Sequence, residues 1–263
     1  MTKILITGST DGIGRRAAVA LAATGHDVVV HGRSATKLAD AGAEVEGAAS
    51  TPVAAVQADL STVHGTRSFI ADLRRDHADL DVVVNNAGVF RSDTPISDDG
   101  WDLRFAVNTV APYLLTAALI DSLPDTGRIV NLSSAAQAPV DLDGLTSGVA
   151  LDQQLTYAQS KLALTMFSME LGRRRAADGP MIVAVNPGSL LATRMVHEGY
   201  GIAGNDVNIG TDILVRSAVG DDFATAGGRY FDNDARRFGD PHPDAMDSAR
   251  CSALLEALDS LLA

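Results

Sequence analysis

Short runs of β-branched residues, apolar at nearly every position rather than at alternate ones, return along this chain between longer Ala-rich stretches. They are Ile4 to Thr7, Val28 to Val30, Val53 to Val56, Val82 to Val84, Ile129 to Leu132, Met181 to Val185 and the weaker Tyr230-Phe231. A strand that is apolar on both faces has to be covered on both, and a sheet held between two helical layers provides that cover. Helical patterning fills the intervals at Ile13 to Ala23, Ala35 to Ala41, Thr62 to His77, Trp101 to Leu123, Gln153 to Arg175, Val207 to Val219 and Ala245 to Leu262. The rhythm predicts a three-layer α/β sandwich built on a doubly wound, mainly parallel, seven-stranded sheet. No Ser/Gly/Pro-rich linker, repeat or low-complexity tract divides the 263 residues, so a single domain over 1–263 is expected.

Charge and cysteine content remove several function classes. A net charge of -12 leaves no basic stripe with which to follow a nucleic acid backbone or hold an anionic membrane, so neither partner is expected. The single cysteine, Cys251, can form no internal disulfide and no thiolate cluster, and the six histidines show no paired ligand spacing, so no metal is expected. The N-terminus lacks the zones of a signal peptide and no apolar run is long enough to span a bilayer, which points to a cytoplasmic protein.

The first strand ends in Thr7-Gly8-Ser9-Thr10-Asp11-Gly12-Ile13-Gly14, and a helical pattern follows at once. Glycines there let the backbone turn tightly and approach a pyrophosphate, while the N–H groups at the start of the new helix stabilise its charge. The second strand ends in His31-Gly32-Arg33, without the acid that would bind the ribose hydroxyls of NAD. Arg33 could instead pair with a 2′-phosphate, which favours NADP(H) over NAD(H), although Asp11 inside the turn works against a further phosphate. Asp59 and Leu60 follow the third strand and Asn85-Asn86-Ala87-Gly88 closes the fourth. All of these fall at the C-terminal edge, where open α/β sheets take their ligands.

In Tyr157-Ala158-Gln159-Ser160-Lys161 the phenol and the ammonium stand four residues apart on one helix face. An adjacent ammonium is expected to lower the phenol below its usual pKa of ~10 and so let it exchange protons with a substrate oxygen. Ser134 ends the fifth strand on the same edge, and Asn108 lies inside a helix, where asparagine is a poor former.

Taken in order, these motifs resemble the single-domain branch of the short-chain dehydrogenase/reductase family, whose fold is of the Rossmann type, and within it the retinol-dehydrogenase-like subgroup. The resemblance runs through Thr7 to Gly14, Asn85 to Gly88, the tetrad Asn108, Ser134, Tyr157 and Lys161, and Pro187-Gly188 after the sixth strand. It implies hydride transfer between a nicotinamide and a carbonyl or carbinol carbon of a small-molecule substrate, with Tyr157 as acid or base. It further implies that Lys161 holds the nicotinamide ribose and depresses Tyr157, that Ser134 orients the substrate oxygen, that Asn108 holds a relay water and that Thr193 meets the carboxamide. A sugar-nucleotide epimerase or dehydratase on the same fold would resemble a longer chain with a larger C-terminal part, and a non-catalytic dinucleotide sensor usually loses Tyr or Lys. The segment 188–205 reads as a mobile substrate lid carrying Leu190, Leu191, Met195, Val196 and Tyr200, which suits a partly apolar substrate. The apolar stripes of the helices at Trp101 to Leu123 and Gln153 to Arg175 are wider than one sheet face can cover, so a homodimer or homotetramer is expected.

Overall fold

β1 (Lys3–Ile6), buried from Ile4 to Ile6, lies between β2 (Asp27–Gly32) and β4 (Val82–Asn85) and pairs with both in parallel. β3 (Ala54–Gln57) adds outside β2, while β5 (Arg128–Leu132), β6 (Met181–Asn186) and β7 (Tyr230–Asp232) extend the other side, all parallel. The computed structural model describes residues 1–49, 52–175 and 179–263. The sheet order is β3-β2-β1-β4-β5-β6-β7-β8, so the direction of winding reverses between β1 and β4. An eighth strand, β8 (Arg237–Gly239), returns antiparallel to β7, where seven strands were expected. Three residues with an exposed arginine carry little strand signal; β8 is held by Phe238 against Phe231, ring centroids 5.0 Å apart.

Alternate residues of each strand feed the two faces. Ile4, Ile6, Val28, Val30, Val183 and Val185 pack under α1 (Gly12–Ala23), α2 (Ala35–Ala48) and α9 (Val207–Val219). Leu5, Val29, Val83 and Ile129 face the other way, onto α3 (Val63–Asp76) and α5 (Ala111–Leu119). α2 runs seven residues beyond the expected Ala41, because Val45 still reaches the core.

Two expected elements are divided. The helix expected from Trp101 to Leu123 consists of α4 (Leu103–Phe105), a π turn over Ala106–Val110, and α5. Pro112 has no N–H for the carbonyl of Asn108 four residues back and its ring would crowd that carbonyl. The wider turn, closed from Ala111 N–H to Ala106 O, relieves the clash and re-aims Asn108. α6 (Leu142–Leu145) forms where no element was expected and α8 (Arg194–Tyr200) forms inside the segment 188–205, and the C-terminal helix splits into α10 (Pro243–Met246) and α11 (Ser248–Leu262) at Asp247, whose carboxylate caps α11.

α7 (Gln153–Arg174) is buried on almost every side. Leu162, Leu164, Met166, Phe167 and Met169 share one cluster with Tyr113 of α5 and with Cys251, Leu254, Leu255 and Leu258 of α11. The Tyr113 hydroxyl donates to Asp259, which fastens α11 across the same face. The wide stripes that motivated an oligomer are thus covered from within the chain, and that reason for self-association falls away. Among the described residues, no helix is long and apolar enough to cross a membrane.

Candidate active site

The first turn and the loop after β4 are locked together at the point where the winding reverses. Asn86 Nδ2 donates to the carbonyls of Thr7 and Gly8 at 2.8 and 3.0 Å, and the Thr7 hydroxyl accepts from the N–H groups of Asn86 and Ala87, both at 3.0 Å. This interlock fixes two of the glycines. Gly8 has φ +64° and a Cβ there would meet the Ala87 backbone at 2.8 Å, while one on Gly14 would strike Asn86 Nδ2 at 2.2 Å. Asp11 accepts from Gly12 N–H at 2.8 Å and caps α1, so its carboxylate is engaged in starting the helix. Ile13 is partly buried against the core below.

His31 is the residue in this region that sequence reading passed over. Its Nδ1 accepts from Gly8 N–H at 3.1 Å, its carbonyl accepts from Ser9 N–H at 3.0 Å, and its own N–H donates to Ser9 Oγ at 2.9 Å. Burial pushes the imidazole down to about 4, so it is neutral at pH 7 and keeps Nδ1 as an acceptor. Thr10 closes over Gly32, where a Cβ would fall 2.3 Å from its methyl. Arg33 is exposed just beyond, with its carbonyl accepting from Gln57 Nε2 at 3.0 Å. Asp59 is exposed and accepts from Ser61 N–H at 2.9 Å, and Leu60 beside it is buried.

On the other side of the switch point the four tetrad residues converge. A Cβ on Gly88 would lie 3.4 Å from Asn108 Oδ1, 3.6 Å from Lys161 Nζ and 3.7 Å from Met195 Cε, so three separate elements meet around that glycine. The Asn108 carboxamide bridges two of them. Its Oδ1 accepts from Val89 N–H at 2.8 Å, and its Nδ2 donates to the Val89 carbonyl at 2.9 Å and to Ser160 Oγ at 3.0 Å. The side chain ties the end of the Asn-Asn-Ala-Gly loop to α7, one turn from Tyr157. A ladder from Asn85 to Asn131 at 2.7 Å and on to Ser168 at 2.8 Å seats α7 on the sheet from below.

Lys161 is buried and donates to the Leu132 carbonyl at 2.7 Å, with Nζ 5.8 Å from the centre of the Tyr157 ring. Ser134 accepts from Ala136 N–H at 3.1 Å, and its carbonyl is held by Gln137 and Tyr230 at 2.9 and 3.2 Å. The expected depression of Tyr157 is corrected by the structure. Burial pushes the phenol up to about 12, opposed by a hydrogen bond with Ser134 and helped by nearby Tyr200, while burial also pulls Lys161 down to about 8. Desolvation is the largest cause for both groups; it keeps the phenol protonated across the neutral range and leaves the ammonium easier to deprotonate than a free lysine.

Pro187 and Gly188, partly buried, follow β6, and Gly188 takes φ +114°. Thr193 caps α8 by accepting from Val196 N–H at 3.4 Å, and its methyl faces Gly12, 3.6 Å from where a Cβ would be. The segment expected as a loop therefore carries a helix across the mouth of the site. Phe90, two residues past Gly88, touches both Tyr157 and Tyr200 with ring centroids 5.0 and 5.2 Å away. Its only sequence signal is an aromatic two residues past the Asn-Asn-Ala-Gly loop.

Similarity to known proteins runs over most of the chain. The model of the short chain dehydrogenase family matches residues 2–200. Human retinol dehydrogenase 13 is 31% identical, over 93% of this chain and 79% of its own length. A crystal structure of an uncharacterised protein from Mycobacterium paratuberculosis superposes with TM-score 0.80 at 26% identity, covering 100% of this chain and 93% of that one. A short chain dehydrogenase from Shigella flexneri complexed with NADP gives TM-score 0.71 at 25% identity, over 89% and 97% of the two chains.

A buried ammonium with one carbonyl partner costs stability. Because Lys161 stands near 8 when folded and at 10.5 when not, the unfolded chain binds more protons between those values, and wild-type stability gains relative to a variant without the amine as pH rises through that window. Lys161→Met is expected to raise unfolding stability at pH 7 by about 1–3 kcal/mol, with the advantage shrinking towards pH 10. Denaturant unfolding at the two pH values checks this, and a less stable variant at pH 7 contradicts it.

Proposed function

The chain belongs to the short-chain dehydrogenase family, an oxidoreductase acting on CH–OH or C=O groups, and on that premise we propose that it is an NADP(H)-dependent enzyme for a small, partly apolar carbonyl or alcohol, with Tyr157 as general acid/base. The observation that carries the reading is the meeting of Asn108, Lys161 and Met195 around Gly88, with Tyr157 and Ser134 joined beside it.

The residues present fit a dinucleotide. Gly12, at φ +57°, puts no side chain between the first turn of α1 and Thr193, where a Cβ would already touch the Thr193 methyl at 3.6 Å, and the first-turn N–H groups of a helix favour an anion. Gly8 to Gly14 would hold the pyrophosphate, with Asp59, Leu60, Asn86, Ala87 and Gly88 along the same edge and Pro187, Gly188 and Thr193 at the nicotinamide end. Bound there, the nicotinamide supplies or accepts the hydride. Tyr157 gives its proton to the carbonyl oxygen in reduction and takes one from the hydroxyl in oxidation, and Ser134 donates to that same oxygen and sets its position. A phenol near 12 is protonated across the neutral range, so Tyr157 enters the reduction step already carrying the proton it gives. Lys161 binds the ribose side and supplies the positive charge that steadies the phenolate left after transfer. Asn108 keeps α7 in register with the Gly88 loop.

The preference for NADP(H) is supported by exposed Arg33, by the absence of an acid at the end of β2, and by the capping role that occupies Asp11. A cytoplasmic location is supported by the lone, buried cysteine.

Tyr157→Phe is expected to cut turnover of NADPH with an aldehyde or ketone panel by about a hundredfold or more, while NADPH affinity stays within about twofold. Near-wild-type turnover would remove Tyr157 from its role. In fluorescence titrations NADPH is expected to bind about ten- to a hundredfold more tightly than NADH, with most of that difference gone in Arg33→Ala. Equal affinity of the wild type for the two cofactors contradicts the assignment of Arg33.

A further inference from the structure

Helix α8 crosses the mouth of the site and closes on it through rings. Tyr200, at its last turn, stacks on Phe90 with centroids 5.2 Å apart and planes 21° from parallel, and Phe90 meets Tyr157 edge-on at 5.0 Å and 66°. The helix can lie this close because the residue before Tyr200 is Gly199: a Cβ there would fall 2.4 Å from the Phe90 ring. Gly201, at φ +66°, ends the helix immediately afterwards and turns the chain away. At the other end of α8, Met195 reaches the Gly88 cluster. Tyr200 is 46% exposed although its inner face is stacked, so its outer face is open at the entrance.

We infer that Phe90 and Tyr200 form an aromatic gate over Tyr157 that selects carbonyl or carbinol substrates bearing a flat ring system. The inference rests on the reaction assigned above and adds the substrate class. A flat ring entering beside Tyr157 replaces one aromatic face by another, and the stacking lost when Tyr200 parts from Phe90 is made again with the substrate. A branched aliphatic group cannot match either face, so opening the gate costs it the Phe90–Tyr200 contact without return. Discrimination therefore lies in the ring faces and not in the Tyr200 hydroxyl.

Two ketones serve as probes on the full chain with NADP(H): 2-acetylnaphthalene, which is flat, and 3,3-dimethyl-2-butanone, which is branched. Calorimetric binding to the NADP-loaded protein and steady-state reduction with NADPH are measured for wild type, Tyr200→Ala, Phe90→Ala and Tyr200→Phe. The wild type is expected to bind and reduce the flat ketone more tightly. Tyr200→Ala and Phe90→Ala, which have no ring pair to part, are expected to tighten the Kd and KM of the branched ketone about fivefold or more, and to change those of the flat ketone, which loses a stacking partner together with the cost of opening, less than about twofold. Tyr200→Phe, which keeps the ring face, is expected to restore the wild-type preference. No preference in the wild type, equal changes for both ketones in the alanine variants, or a Tyr200→Phe protein as unselective as Tyr200→Ala would each overturn the gate. Selective binding of the flat ketone without hydride transfer would leave the gate standing and contradict the assigned reaction, whereas reduction of both ketones alike would do the reverse.

Discussion

Asn86 and Thr7 make the contact on which the rest of the site depends. Their four hydrogen bonds join the turn after β1 to the loop after β4 across the line where the winding reverses. At about 0.5–1.5 kcal/mol each the bonds are modest in net stability, but leaving these groups buried and unpaired would cost more. The interlock is also why Gly8 and Gly14 admit no side chain, since Ala87 and Asn86 occupy the space. Sequence, backbone conformation and ligand-binding edge are thereby set by one local arrangement. His31 completes it from β2, holding Gly8 through a ring kept neutral by burial and Ser9 through two bonds of its backbone.

The chemistry is placed by a second junction. Asn108 spans the Val89 backbone and Ser160, so the loop that follows the interlock and the helix that carries Tyr157 and Lys161 move as one body. The π turn that aims Asn108 answers to Pro112, and the buried Asn85–Asn131–Ser168 ladder sets α7 against the sheet. Burial then raises the phenol and lowers the amine. A buried amine held by one carbonyl is a poor choice for stability, and such costs tend to be retained where function needs the group.

The strands were legible because parallel strands covered on both faces must be apolar throughout, and the glycine turn because few residues tolerate Gly8 at φ +64°. α9 matched its expected span of Val207 to Val219 at both ends, where Asp206 caps the start and Gly220 follows the last turn. What could not be read was tertiary in origin. Apolar stripes on α5 and α7 look the same whether a second copy or α11 of the same chain covers them. Tyr157 and Lys161 at helical spacing suggest mutual attraction, yet their pKa directions are decided by how much water the surrounding fold removes. Phe90 and Tyr200 lie 110 positions apart and meet only because α8 folds back over the loop after β4. β8 is a three-residue edge whose place depends on β7 already being there.

The central claim is that Tyr157 protonates a substrate oxygen while hydride passes to its carbon. Incubating the protein with NADPH deuterated at C4 of the nicotinamide and a ketone, then locating the label by mass spectrometry and NMR, tests it most directly. The account predicts deuterium on the carbinol carbon of the product in the wild type, from one face of the nicotinamide only, and almost none in a Tyr157→Phe protein that still binds NADPH. Label transfer that persists undiminished in that variant, or a wild type that binds NADPH yet transfers no label to any carbonyl compound offered, would contradict it.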